Sequence, residues 1–274
     1  MEPGTDLGGT MSDRVTDRAA AHATPAELAL RDWLLVGLSF ATGIYEAICF
    51  LTFGKVFTAA QTGNLVLLGI GVAGTKEPAG PNPVTVVISL AAFAVGVALA
   101  IPILKAFGGD RETEDNKVFH AWPRRVSIAL VIALILQVGF LAVWITAARP
   151  ASLAYILMAL SALALGLQAN AIRSLNVPSI STTAFTAAYI DLFSRLVTLS
   201  LTAYSARRLA ASVVAMAAGA FLGDVMLRHA HPYAPVVPAV VTAVVIAIAW
   251  VALKPRATSG PAVEQSLPVP QAVK

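Results

Sequence analysis

The chain has 274 residues, 57% of them hydrophobic and only 12% charged, with a formal net charge of +4 and a single cysteine. A soluble domain carries roughly 25% charged residues, so an ordinary water-facing surface is excluded. One cysteine also excludes an internal disulfide and a four-cysteine metal site, and Lys and Arg scattered over the ends of apolar runs do not make a nucleic-acid surface.

Residues 1–30 hold Glu2, Asp6, Asp13, Asp17 and Glu27 against Arg14 and Arg18 and lack an apolar core. They read as a disordered acidic tail, not an export signal. The membrane domain is expected over 31–253, opening with the Arg31–Asp32 pair and Trp33 as an interfacial anchor. Apolar runs follow at Leu34–Phe53, Val84–Leu104, Val126–Ala147, Leu153–Ala171, Ala210–Leu227 and Val236–Leu253. Each is long enough, at about 1.5 Å per residue, to cross a hydrocarbon layer roughly 30 Å thick. Two more runs, Val56–Gly74 and Ser181–Ser200, match them in length but are more polar. The joints include Gly54–Lys55, the proline-rich turn Thr75–Pro83, the charged loop Lys105–Arg125 and Ala148–Ser152. A polar tail, 254–274, ends the chain. No alternating strand pattern supports an outer-membrane barrel.

These runs predict an all-α, polytopic transmembrane helical bundle of about eight hydrophobic helices. Polar punctuation recurs at a fixed interval. Gly43-Ile-Tyr-Glu46-Ala and Val56-Phe-Thr-Ala-Ala-Gln61-Thr62-Gly63-Asn64 return as Gly166-Leu-Gln168-Ala-Asn170 and Ile180-Ser-Thr-Thr183-Ala-Phe-Thr186, 123 or 124 residues later. The expectation is two repeats, 31–147 and 148–253, of four helices each. An even number of crossings per unit makes them parallel. The polar runs are the two helices expected to be broken or re-entrant, since irregular backbone inside a membrane survives where it lines a cavity.

The polar residues within these runs are the candidate solute or ion pathway. Glu46 lies well inside the first span, where a carboxylate costs at least ~2.5 kcal/mol on insertion scales unless paired or protonated. Asp191 and Arg195, four apart, share a helix face and can pair. Gln61, Thr62, Asn64, Gln168, Asn170, Thr183 and Thr186 supply groups that must find partners across the repeat interface or on a ligand. Gly43, Gly63 and Gly166 mark helix breaks or close packing. For every one of these, helix-to-helix locking is the competing reading. Asp224 and Arg228 read as an interfacial pair, and Cys49 as a small buried hydrophobe. No metal, cofactor or enzyme signature is found: Walker, nucleophile-elbow and HExxH patterns are lacking.

On Gly43-Ile-Tyr-Glu46-Ala, the Phe57-Thr-Ala-Ala-Gln-Thr-Gly-Asn64 string, Gly166-Leu-Gln-Ala-Asn170 and Thr183-Ala-Phe-Thr186, the chain resembles the YoaK family of bacterial membrane proteins. The resemblance covers roughly 34–253. It departs from the family's pattern in having Glu46 where aspartate is common and Ala187 where glycine is common. It implies the architecture and a bacterial inner (plasma) membrane location, and it brings no substrate, cofactor or catalytic residue with it.

The leading expectation is a secondary transporter or permease for an unidentified small solute, coupled to protons through Glu46. The alternative is a non-transporting scaffold or accessory subunit. The partners are then the lipid bilayer and a small solute or proton. With eight crossings, nine Lys and Arg residues fall on the side of the termini and eight on the other, a split that leaves the positive-inside rule little to work on. Cytoplasmic termini are expected because the N-terminal tail carries no export signal.

Overall fold

The computed structural model describes residues 23–74, 80–106, 121–146, 151–175, 177 and 203–253. They form an all-α bundle: α1 (Pro25–Thr52), α2 (Gln61–Val72), α3 (Pro83–Ala106), α4 (Arg124–Thr146), α5 (Ala151–Arg173), α6 (Ala203–His229), a 3-10 turn (His231–Tyr233) and α7 (Val236–Ala252). Among the described residues, six helices are long and apolar enough to cross a membrane, and the short α2 stands apart from them. The chain is a polytopic membrane protein.

Local chemistry sets the ends of α1. Thr24 and Glu27 form a reciprocal capping box around Pro25, satisfying N–H groups that the first turn leaves open. At the other end Gly54 (φ 84°) and Lys55 (φ 59°) are both left-handed, and the Lys55 N–H bonds the Phe50 carbonyl. The glycine takes that conformation without penalty and turns the chain sharply back.

Side-chain contacts give each helix its direction. Arg208 reaches Asp32 near the starts of α6 and α1, and further along, Gly219 meets Phe40 and Gly223 meets Ile44 and Ala47. Numbers rise together, so α1 and α6 run parallel. On α1 and α5 they run oppositely: Cys49 bonds Ser161, while Thr42 accepts from Gln168. Helices α3 and α5 are parallel, with Phe93 against Gly166 and Val97 against Asn170. Hence α1 and α3 are antiparallel.

That result corrects the expected topology. Were α2 a crossing, α1 and α3 would point the same way. Instead Gly54, just past α1, faces Asn82, just before α3, with 3.7 Å from an added Cβ to the Asn82 Cβ. The chain from 54 to 82 thus returns to the end of the bundle at which α1 finishes. The helix in Val56–Gly74 has only 12 residues, about 18 Å, because residues 56–60 are non-helical. The first half then holds three long helices, α1, α3 and α4, and α5 starts at the opposite end of the bundle to α1. The halves are therefore antiparallel, not parallel. Ser181–Ser200 lies outside the described residues, but α5 ends and α6 begins on one face. There Leu175 and Val177 join the cluster of Leu34, Leu35, Val126 and Ala249.

The two closest helix crossings share one set of contacts. A Cβ on Gly43 would run into the Met216 carbonyl, and one on Gly219 into the Phe40 carbonyl. Likewise a Cβ on Gly166 would meet the Phe93 carbonyl, and one on Gly96 the Leu163 carbonyl. Adding 123 to 43 and 40 gives 166 and 163, while 216 and 219 less 123 give 93 and 96. Glycine lets these backbones touch, which is how membrane helices bind tightly without a hydrophobic drive between them.

Candidate functional site

Glu46 sits on α1 six residues before Thr52, so about 9 Å along the axis from the helix end. The chain returns to that depth after the turn. There Thr58 N–H donates to Glu46 Oε2 at 2.9 Å, and Ala59 and Ala60 N–H donate to Oε1 at 2.7 and 2.9 Å. Ala60, the N-cap of α2, has no side chain able to cap it. A carboxylate from another helix takes that role. Its negative charge also faces the positive end of α2.

Asn64 completes the clamp from the first turn of α2. Its Oδ1 accepts from Phe57 N–H at 2.9 Å, and its Nδ2 donates to the Phe57 carbonyl at 2.7 Å. The amide thus pairs with a peptide group as a neighbouring strand would. The same Nδ2 lies 2.9 Å from Gln61 Oε1 and 3.1 Å from Ser89 Oγ. Gln61 donates to the Thr58 carbonyl, and Ser89 on α3 donates to the Phe57 carbonyl. Gly63 leaves room for the Phe57 ring, which would lie 3.2 Å from an added Cβ and is stacked on Phe50. The Phe57–Asn64 string therefore encodes a folded plug held by α1 and α3. Every one of these polar groups is buried or half-buried.

The remaining pathway candidates are spread out. Gln168 donates to Thr42 Oγ1 at 3.1 Å, one turn deeper than Glu46, and Asn170 donates to the Val97 carbonyl at 3.0 Å. Thr62 is exposed on the outer side of α2. Thr183, Thr186, Asp191 and Arg195 lie outside the described residues. Asp224 and Arg228 form the exposed pair expected of them, at 2.7 Å.

Three residues that matter here were not singled out from the sequence. Ser89 is one; a serine in an otherwise apolar span was its available signal. Tyr45 and Gln137 are the others. Tyr45 Oη, both amide atoms of Gln137 and Gln168 Oε1 are buried without a hydrogen-bond partner. They belong to α1, α4 and α5. The Tyr45 ring meets Phe140 edge-on, and Gln137 is one turn before Phe140. The Cys49–Ser161 and Thr42–Gln168 bonds bracket the same stretch of the α1–α5 interface. Each unmet group costs about 1–3 kcal/mol when buried, and a lipid-embedded core offers no bulk water to relieve it.

A profile of a family described as proteins of unknown function, DUF1275, matches residues 34–248. A curated relative, the UPF0700 transmembrane protein YoaK of Bacillus subtilis (strain 168), is 34% identical over 159 residues, 58% of this chain and 64% of that protein. The match thus spans just under two thirds of that relative's length. No solved structure matches the chain.

Proposed function

Starting from the DUF1275 family, to which this chain belongs, we propose a secondary transporter or permease for a small polar solute, coupled to protons through Glu46. The observation that carries this reading is the group of unpartnered buried atoms on Tyr45, Gln137 and Gln168. Polar groups kept in a membrane core without partners serve water or a polar solute that passes them. The antiparallel halves and their matching glycine crossings support an inverted repeat, an arrangement many transporters use to bind solute where the halves meet.

Glu46 gives the coupling. Ionised, its two oxygens match three N–H donors. A proton on the carboxylate removes acceptor capacity and loosens the start of α2. The re-entrant topology also sharpens the sidedness. Among described residues, Arg31, Lys105, Arg124, Arg125, Arg173, Arg207 and Arg208 stand at helix ends on the face where α1 begins, against Lys55 and Arg228 opposite. The positive-inside rule then puts that face, and both termini, in the cytoplasm.

The test is ligand-dependent thermal stability of the purified protein across metabolites, ions and pH, then flux in liposomes. One solute should stabilise the wild type, and Gln137→Leu and Gln168→Leu should lose that shift and the flux while remaining folded. A full response in both variants would sink the reading. The scaffold alternative is favoured by a different observation, the complete internal use of Glu46, Gln61, Asn64 and Ser89. It predicts that changes at these residues lower yield and leave no solute response to lose.

A further inference from the structure

Toward the cytoplasmic end of the proposed topology, the N-terminal halves of α1 and α6 enclose a cleft lined by Asp32, Trp33, Val36, Arg207, Arg208 and Ala211. Arg31 donates through Nε and Nη2 to Asp32 Oδ1 at 3.0 and 2.9 Å, and Arg208 Nη1 donates to Oδ2 at 3.0 Å. Arg207 lines the cleft from its exposed side. Arg31 and Arg208 thus meet on one carboxylate, and the cleft beside them presents the Arg207 and Arg208 guanidinium groups with Asp32.

An apolar track leads away from this charge into the membrane. On α6, Arg207 is followed at helical spacing by Ala211, Val214, Ala218 and Phe221, with Val214 65% and Phe221 72% exposed. The stripe is about 21 Å long and begins beside Trp33, itself 61% exposed. A cationic pocket at the interface joined to an apolar track fits a molecule with an anionic head and a hydrocarbon tail. We propose that the cleft between α1 and α6 binds the phosphate headgroup of an anionic membrane phospholipid on Arg207 and Arg208, with an acyl chain laid along Val214 and Phe221. Guanidinium groups match phosphate oxygens in pairs, and basic pockets between transmembrane helices hold anionic headgroups in this manner.

Thermal unfolding of the full-length protein in neutral detergent tests this, with added phosphatidylglycerol, phosphatidylcholine or inorganic phosphate. Phosphatidylglycerol should raise the Tm several degrees above phosphatidylcholine in the wild type, and inorganic phosphate should not. Arg207→Gln should match the wild type in phosphatidylcholine and lose most of the phosphatidylglycerol shift. Arg228→Gln, on the opposite face, should keep it. Native mass spectrometry reads the same comparison as retained lipid, independent of any stability change. Equal shifts from both lipids, or an undiminished response in Arg207→Gln, would overturn the proposal. A full shift from inorganic phosphate alone would also overturn it, by assigning the cleft to a soluble phosphate.

Discussion

The first half of the chain clamps its short polar helix with a carboxylate, an amide and a serine; the positions 123 residues further on hold a different set. Glu46 and Asn64 hold the start of α2, aided by Ser89. At the interval of 123 residues that relates the glycine crossings, Ala169 stands for Glu46, Ala187 for Asn64 and Ser212 for Ser89. Ser212 Oγ is buried and has no partner, where Ser89 has Phe57. The glycine contacts recur at that interval, while the carboxylate and the amide that hold the start of α2 do not. The difference teaches that packing and locking are separable: helix crossings set where the halves sit, and a few hydrogen bonds set how firmly one segment is held.

Removing the carboxylate gives the sharpest break. Glu46→Ala leaves three N–H donors without an acceptor, at about 1–3 kcal/mol each, and Glu46→Gln places an amide where a two-oxygen acceptor is needed. Both should show the largest fall in Tm and folded yield of any single change. Next come Gly43→Ala and Gly166→Ala. Each pushes a methyl group into a facing carbonyl, an overpacking cost of about 1–3 kcal/mol. Their Tm losses should match each other, because the contacts are equivalent; a large loss at only one would break the symmetry between halves. Asn64→Ala should follow, losing both bonds to Phe57 for about 2 kcal/mol, measured as Tm and as protease cutting at 53–60. The smallest effect separates the two serines. Ser89→Ala should cost about 1 kcal/mol, and Ser212→Ala about nothing, since no bond is lost.

Composition and run length were enough to read the membrane bundle, because lipid-facing surface needs apolar residues whatever the fold. Glu46 and the Phe57–Asn64 string stood out for a related reason: polar groups are costly there and so are few. Their bonding was not legible. Glu46 meets the N–H groups of residues 58–60 only because Gly54 and Lys55 reverse the chain, and a carboxylate 12 positions away reads equally well as a proton site or a cap. The direction of the halves was misread for a countable reason. Val56–Gly74 has the apolar content of a span, but its first five residues are not helical and its helix is 12 residues long. A single uncrossed segment inverts everything that follows it. The charge split, even under eight crossings, becomes lopsided for the same cause.

The pairing of α1 with α6 has a consequence for how the protein is made. The clamp on α2 can close as soon as residue 64 is available, since its groups are close neighbours in the chain. The Gly43 seam and Asp32 must wait for Gly219 and Arg208, more than 170 residues later. At about 5–20 residues per second of synthesis, that wait is roughly 10–35 s. Through that interval the newly inserted first helix keeps its glycine groove open to lipid, and the last-made third of the chain is what closes it.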